Sequence, residues 1–289
     1  MGKSPHLFCF GLGYSATFLA RRLLAQGWRV SGTCRTPEKQ ARLKALGIDA
    51  QLFDRDRPLS DAAATLRDVT HLLSSVPPDA QGDPVIAAHR AEIDAVAPSL
   101  AWIGYLSTTG VYGDRAGGWV DEASALRPSG ERGRRRLAAE LQWLSLKQPA
   151  HLFRLAGIYG PGSSALDTVR EGRARRVVKA GQVFSRIHVE DIAQVLEASI
   201  KRPNPGAAYN VCDDDAAAPA DVVTFACALL NVAPPPEVPF AQADLSPMAR
   251  SFYDDNKRVS NTRIKRELGV ALRYPSYRDG LPAILAAES

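Results

Sequence analysis

Small residues follow an apolar segment near the start of the chain, in the order Gly11-x-Gly13-x-x-Ala16. Residues 7–10 predict a strand, and the amphipathic run at 18–24 predicts a helix. Such a turn lets the backbone approach a pyrophosphate, whose charge the first N–H groups of the helix then bind. The sequence therefore predicts a dinucleotide site formed by Gly11, Gly13, Tyr14, Ser15 and Ala16. A strand–turn–helix unit with incidental glycines is the alternative.

The second predicted strand ends at Arg35, and no carboxylate follows before Glu38. An NAD site places Asp or Glu about 20 residues after the glycines, to bind the ribose 2′-hydroxyl, whereas an NADP site places Arg there. The planar guanidinium of Arg35 matches a 2′-phosphate, and Thr36 and Lys39 are close enough in sequence to assist. We therefore expect NADP rather than NAD. The alternative is a solvated arginine at a strand end.

Composition excludes several other classes of protein. The 289 residues are 45% hydrophobic and 23% charged, which is enough for a full-sized core. The net charge of +5 comes largely from arginines within 132–136 and 170–179. No aromatic platform accompanies them, so an anionic cofactor explains them better than nucleic acid does. Four scattered cysteines suggest neither zinc nor disulfides. Without a membrane-length apolar segment or a signal peptide, a cytoplasmic protein is expected.

Strand and helix patterns alternate through the first half of the chain. Strands are predicted at 48–53, 69–76, 100–107 and 150–155, and helices at 37–46, 83–97 and 131–147. This alternation is typical of an α/β fold with a doubly wound, Rossmann-type parallel sheet. We expect a dinucleotide-binding domain over residues 1–160 and a smaller α+β substrate portion over 161–289. Residues 183–212 are expected to return to the sheet, and the last predicted helix covers 261–268.

Five motifs occur in a fixed order along most of the chain. They are Gly13-Tyr14-x-Ala16, Ser107-Thr108-Thr109-Gly110-Val111-Tyr112-Gly113, Arg154-Leu155-Ala156-Gly157-Ile158-Tyr159-Gly160-Pro161-Gly162, Ile187-His188-Val189-Glu190-Asp191-Ile192-Ala193 and Asn256-Lys257-Arg258. In this order they resemble the extended, atypical short-chain dehydrogenases/reductases of the NAD-dependent epimerase/dehydratase type. The resemblance implies a Rossmann fold, a nicotinamide cofactor and a small-molecule substrate.

The resemblance also indicates a catalytic set, with one departure. Thr108 matches the hydroxyl that exchanges a proton with substrate in this family. The family's Tyr-x-x-x-Lys pair, placed in register by Glu140, falls on Arg132 and Arg136. Arginine stays protonated, so it cannot replace a phenol as a general acid/base. Arg136 is expected to bind the ribose hydroxyls, and Arg132 to orient an anionic substrate or to stabilise an oxyanion.

Other positions take roles from the same resemblance. Asp54 matches a residue that contacts adenine, and Ser74-Ser75 match residues that back the nicotinamide ribose. A plain polar residue at a strand end is the alternative for each. Thr109 and Arg186 are expected to face the substrate, and Arg186 stands two residues beyond the family's usual diphosphate-binding arginine. His188 looks catalytic by type, but the family uses this position structurally.

Two functions from different classes remain open. The first is an NADP(H)-dependent oxidoreductase or epimerase-like enzyme in which Thr108 orients a carbonyl or hydroxyl. Its proton would come from water, from the substrate, or from a side chain such as Tyr112, Glu131 or Tyr159. The alternative is a non-catalytic NADP(H)-binding sensor or partner-binding protein, which the loss of the Tyr-x-x-x-Lys pair favours. A homodimer is compatible with the family, and neither a nucleic acid nor a membrane is expected as a partner.

Overall fold

The computed structural model describes residues 4–288. Its strands are β1 (His6–Phe10), β2 (Arg29–Cys34), β3 (Asp49–Leu52), β4 (His71–Ser74), β5 (Trp102–Thr108), β6 (Trp119–Val120), β7 (His151–Leu155), β8 (Gly157–Tyr159), β9 (Arg176–Val178), β10 (Arg186–His188), β11 (Ala208–Val211), β12 (Glu237–Pro239) and β13 (Arg258–Val259). Its α-helices are α1 (Tyr14–Leu24), α2 (Pro37–Ala45), α3 (Ala62–Leu66), α4 (Pro84–Val96), α5 (Glu131–Leu144), α6 (Ala165–Arg170), α7 (Val189–Lys201), α8 (Pro219–Leu229), α9 (Pro247–Ser251), α10 (Thr262–Leu268) and α11 (Tyr277–Glu288).

Seven strands form one parallel sheet in the order β11-β7-β5-β4-β1-β2-β3. The central strand β1 pairs with β2 and β4, so that Phe8 lies opposite Ser31 and Leu72. Every residue of β1 is buried, as a parallel strand covered by helices on both faces must be. The chain runs outward from β1 to β3 and returns through β4 to the other half of the sheet. This is the doubly wound order, and it confirms the predicted fold class.

The first of two compact units contains the chain up to Thr108, together with Arg134–Arg154 and Ile192–Tyr209. Its core is rich in aromatic side chains, among them Phe8, Phe10, Tyr105 and Trp143. The Trp143 indole N–H donates to Asp83 (2.9 Å), whose other carboxylate oxygen accepts the first free N–H groups of α4. The core thereby fixes the start of one flanking helix.

The second unit contains Thr109–Gly133, Leu155–Asp191 and the chain from Asn210 onward. Helices α6, α8 and α11 pack around an apolar core that includes Leu166, Val222, Tyr277 and Leu281. Three two-stranded parallel sheets, β10–β8, β12–β9 and β13–β6, complete the unit.

The structure differs from the sequence-based expectation in its second half. Within 183–212 only β11 joins the seven-stranded sheet, while β10 pairs with β8 and sets Arg186 opposite Gly157. A strand of three residues carries too little pattern to identify its partner. Helix α11 was not predicted, because Pro282 lies inside it and reads as a helix breaker. The boundary at residue 160 stays a prediction, and the compact units are interleaved along the chain.

No helix within residues 4–288 is both long and apolar enough to cross a membrane.

Candidate functional site

Neighbouring strands hold the turn between β1 and α1. The Gly11 N–H donates to Thr33 Oγ1 (2.8 Å), and the Leu12 N–H donates to the Thr33 carbonyl (2.7 Å). Ser75 Oγ donates to the Gly11 carbonyl. Gly11 has a φ of +80°, and a Cβ there would lie 3.0 Å from Val76 Cγ2, so the position requires glycine. The sequence reasoning missed Thr33, although a hydroxyl near the end of an adjacent strand is a usable signal.

Helix α1 begins immediately after this turn, at Tyr14. The residue before it, Gly13, makes no side-chain cap, and the first turn contains no acidic residue. The positive end of the helix dipole therefore meets no competing carboxylate from that turn. Ser15 and Ala16 are buried, and Tyr14 is partly exposed. The predicted turn residues thus lie together at a helix end suited to an anion.

Arg35 lies directly after β2 and is exposed. Among residues 4–288 no carboxylate pairs with its guanidinium, and its carbonyl accepts from Arg57 Nη2 (2.9 Å). The same nitrogen donates to Asp54 (2.7 Å). Asp54 is the carboxylate that was predicted to contact the cofactor, and its charge is already paired with that of Arg57. Thr36 caps α2 by accepting the Lys39 N–H (3.3 Å). The Arg35 guanidinium consequently keeps its positive charge without a carboxylate partner among residues 4–288.

Two more strands of the sheet end in hydroxyl side chains. Ser74 ends β4 and is fully buried, and its Oγ has no hydrogen-bond partner within the described part of the chain. Thr108 ends β5 and is half-buried. The carboxyl ends of parallel strands share one edge of the sheet, which is where ligands bind in open α/β folds. Ser74 and Thr108 therefore lie on the same edge as the glycine turn.

Arg136 is anchored beside the end of β5. Its Nη1 donates to the Leu106 carbonyl (2.7 Å) and to the Tyr105 hydroxyl (3.2 Å), and its guanidinium lies 5.6 Å from the Tyr105 ring centre. Its Nε and Nη2 have no partner among residues 4–288. The guanidinium is thus held in place with donors to spare, which suits a residue that binds hydroxyls.

A buried charge network positions the strands and helix around this arginine. Glu140 on α5 accepts from Ser107 Oγ (2.5 Å) and from both Nε (3.1 Å) and Nη2 (2.9 Å) of Arg154. Glu140 and Arg154 are almost entirely buried. The network joins β5, α5 and β7, so it fixes α5 against the strand that ends in Thr108. The sequence reasoning used Glu140 only to set register and missed this positioning role.

The start of α5 lies against the turn that follows β5. A Cβ at Gly133 would lie 2.7 Å from the Gly110 carbonyl oxygen, so this close approach needs glycine. Arg132 is exposed, and its guanidinium lies 5.3 Å from the Phe252 ring centre. Thr109 is half-buried at the start of the same turn. Because helix positions four apart share a face, Arg132 and Arg136 project from the same side of α5.

Two of the three side chains considered as proton donors have hydroxyls engaged elsewhere. The Tyr112 hydroxyl is buried and donates to Asn210 Oδ1 (2.7 Å). The Tyr159 hydroxyl donates to the Ser276 carbonyl (3.1 Å), and burial raises its pKa further above the usual value for a phenol. Glu131 is exposed in the first turn of α5. Both tyrosine hydroxyls therefore donate their protons within the protein.

Arg186 lies on β10 and lines a cavity of the second unit. Its Nη1 donates to the carbonyls of Phe184 (2.8 Å) and Ala217 (3.0 Å), and burial lowers its pKa. The family's usual arginine position is occupied by Phe184, whose ring packs edge-on against Tyr253 at 5.3 Å. An apolar cluster therefore replaces a diphosphate contact at that position.

His188 caps helix α7. Its Nδ1 accepts the Glu190 N–H (3.2 Å) at the start of α7, and its ring lies 4.1 Å from that of Tyr274. Burial, assisted by the charge of Arg273, lowers its pKa to about 4. The imidazole is therefore neutral at physiological pH. Within residues 4–288, no group of three or more His, Cys, Asp or Glu side chains is arranged to hold a metal ion.

Comparison with known proteins places this geometry among related folds. No family model matches the chain. It is 29% identical to Protein YeeZ of Escherichia coli K12, over 92% of this chain and 94% of that protein. A functionally unknown conserved protein from Silicibacter pomeroyi DSS is 53% identical, with a TM-score of 0.93 over 98% of this chain and 99% of the other. A Methylobacillus flagellatus protein assigned as an NAD-dependent epimerase/dehydratase is 26% identical, with a TM-score of 0.71 over 99% of both chains.

Proposed function

We propose that this chain is an extended short-chain dehydrogenase/reductase of epimerase/dehydratase type, which binds NADP(H) and uses it to act on a small molecule. The single observation that carries the cofactor assignment is Arg35, which directly follows β2 and whose guanidinium pairs with no carboxylate among residues 4–288. The nearby glycine turn leads into α1, whose first turn contains no acidic residue. The Methylobacillus relative is assigned to NAD-dependent enzymes, which supports a nicotinamide dinucleotide without distinguishing NAD from NADP.

The first unit offers a fitting partner for each part of the cofactor. The backbone at Gly11 has a positive φ that favours glycine, and no acidic residue lies in the first turn of α1, so the pyrophosphate would bind at this point. The orphaned Ser74 hydroxyl and the spare donors of Arg136 would hold ribose oxygens. A 2′-phosphate would bind Arg35, with Lys39 adding charge.

Catalysis in this chain would differ from the usual tyrosine-dependent form. A bound nicotinamide supplies hydride transfer to or from a carbon of the substrate. The Thr108 hydroxyl would orient the substrate oxygen, and the fixed positive charges of Arg132 and Arg136 would stabilise negative charge on it. Because both arginines stay protonated, the proton for that oxygen would come from Glu131, from water or from the substrate itself.

The cofactor assignment is tested with Arg35→Ser. NADPH affinity should fall roughly 10- to 100-fold, because a charge-assisted contact is lost, whereas NADH affinity should change less than about twofold. Arg29→Ser is the matched control, since Arg29 is also exposed but stands at the opposite end of β2. Isothermal titration and thermal shift measure both cofactors. Equal binding of NADPH and NADH by the wild type would contradict the assignment.

The catalytic assignment needs a separate experiment. With NADP(H) bound, turnover of a panel of carbonyls and alcohols should fall about 100-fold or more in Thr108→Ala, with cofactor affinity unchanged. An Arg132→Tyr/Arg136→Lys double variant should gain turnover if the remaining site is competent. Tight NADPH binding without turnover in either protein would instead favour the alternative, a non-catalytic NADP(H) sensor. That alternative draws support from the internal hydrogen bonds of Tyr112 and Tyr159.

A further inference from the structure

The second unit contains a cavity of about 450 Å³ that no part of the proposed cofactor site uses. Helices α6, α8 and α11 and strands β8 and β10 supply its lining. One part is apolar, with Ile158, Val222, Val223 and Leu281 among its side chains, and Arg186 lies on another part. A volume of this size accommodates a small organic ligand. The combination of an apolar wall and one cation suggests what chemistry that ligand has.

Arg186 has one edge of its guanidinium in use and the other available. Nη1 donates to the Phe184 and Ala217 carbonyls, while Nε and Nη2 have no partner among residues 4–288. The Nε/Nη2 edge is the two-donor fork that matches a carboxylate. Elsewhere in this chain the same edge of Arg55 holds Asp79 (2.5 and 2.7 Å), and that of Arg154 holds Glu140 (3.1 and 2.9 Å).

Two carboxyls that line the cavity are already engaged, and two further carboxyls interact electrostatically with Arg186. Asp167 is occupied by capping α6, where it accepts from the N–H and hydroxyl of Ser164. Glu171 is paired with Arg173. The carboxyl that interacts most strongly with Arg186 is Asp213, and burial raises its pKa to about 8, so it is mostly protonated at pH 7. Asp215 adds a weaker negative contribution.

We propose that this cavity binds a small monocarboxylate with an apolar body, its carboxylate on the Nε/Nη2 edge of Arg186 and its body against Val222, Val223 and Leu281. The planar edge matches a carboxylate, and the apolar wall favours a ligand with a hydrocarbon or aromatic body over inorganic phosphate or a sugar. Carboxylate binding here involves residues of the second unit only, so it does not depend on the nucleotide assignment.

The test uses 4-fluorobenzoate, followed by ¹⁹F NMR titration in the presence of saturating NADPH. The probe should bind, and 4-fluorobenzamide, which has the same shape without the charge, should bind at least about tenfold more weakly. Saturating NADPH should occupy the positive end of α1 and so prevent 4-fluorobenzoate from binding there. Displacement of 4-fluorobenzoate by NADPH would overturn the assignment to this cavity, and tighter binding of inorganic phosphate would overturn the carboxylate assignment. If NADPH itself fails to bind, the titration proceeds without it and the two claims are judged separately.

Variants locate the probe within the cavity. Arg186→Gln should weaken 4-fluorobenzoate binding at least about tenfold, because the charged fork is lost. Since Arg186 also supports two backbone carbonyls, Val223→Phe provides a second variant that fills the cavity and leaves Arg186 intact. It should weaken binding to a similar extent. Val232→Phe is the matched control, because Val232 is exposed and does not line the cavity, and it should bind like wild type. Unchanged binding in Val223→Phe, or no binding to wild type, would overturn the proposal.

Discussion

Replacement of His188 by Asn separates helix capping from proton binding at one buried position. Asn is a preferred residue at the start of a helix, and its side-chain oxygen can accept the Glu190 N–H that His188 Nδ1 accepts at 3.2 Å. The variant loses the ring contacts with Tyr274 and Tyr159, centred 4.1 and 5.2 Å away. These losses should lower the free energy of unfolding at pH 8 by about 1–3 kcal/mol. They do not depend on pH.

The pH-dependent part follows from the pKa of His188. The folded protein holds it at about 4, because burial and the charge of Arg273 disfavour the imidazolium, against an ordinary value of 6.5. Below pH 6.5 the unfolded chain therefore binds more protons than the native state. The stabilisation contributed by neutral His188 is complete above pH 6.5 and is lost as the pH falls toward 4. Between pH 8 and pH 5 the loss amounts to about 2 kcal/mol.

Urea unfolding at pH 8 and pH 5, followed by tryptophan fluorescence, measures this loss directly. Between pH 8 and pH 5, the free energy of unfolding of wild type should decrease by about 2 kcal/mol more than that of His188→Asn. His71→Asn gives a parallel test in the first unit, because burial also lowers the pKa of His71 to about 4. An equal decrease in wild type and His188→Asn would refute the reasoning, since it would show that His188 does not take up a proton on unfolding.

Three further predictions concern the scaffold. Glu140→Gln removes the charged partner of the buried Arg154 and should lower the free energy of unfolding by roughly 3–5 kcal/mol. Glu171→Gln, in an exposed ion pair, should change it by less than about 1 kcal/mol, and urea unfolding compares the two variants. A Cβ at Gly32 would lie 2.2 Å from a carbonyl oxygen of β1, so Gly32→Ala should destabilise by at least about 2 kcal/mol, while Gly130→Ala meets nothing within 4 Å and should be nearly neutral. All four cysteines are buried, so a thiol reagent such as 5,5′-dithiobis(2-nitrobenzoate) should react with them only after denaturation; rapid reaction of the native protein would contradict their burial.

Features that depend on neighbouring residues were predictable from the sequence. The turn at Gly11, the start of α1 and Arg35 after β2 are set by residues within thirty positions of one another. Their pattern of strand, small residues and helix has few physical interpretations, which is why it identified both the sheet and the candidate anion site. The alternation of strands and helices likewise predicted a parallel sheet.

Features that depend on distant partners were not predictable. Whether Tyr112 or Tyr159 could transfer protons depends on Asn210 and Ser276, about one hundred residues farther along the chain. The pairing of β10 with β8, rather than with the large sheet, is decided by contacts that three residues cannot encode. The open edge of Arg186 could be recognised only once its Nη1 was found on two backbone carbonyls.

Arginine at both positions of the usual Tyr-x-x-x-Lys pair changes what the sheet edge can do. Tyrosine can give and take a proton near neutral pH when a neighbouring cation lowers its pKa, whereas a guanidinium contributes only charge and donors. Within residues 4–288, only Nη1 of the Arg136 guanidinium is engaged, by the Leu106 carbonyl and the Tyr105 hydroxyl. The remaining donors can bind ribose or an oxyanion but cannot move a proton. In the proposed site, cofactor binding and proton transfer would thus be carried by different groups, so the first could persist without the second. Measurements of affinity and of turnover must accordingly be interpreted independently for this protein.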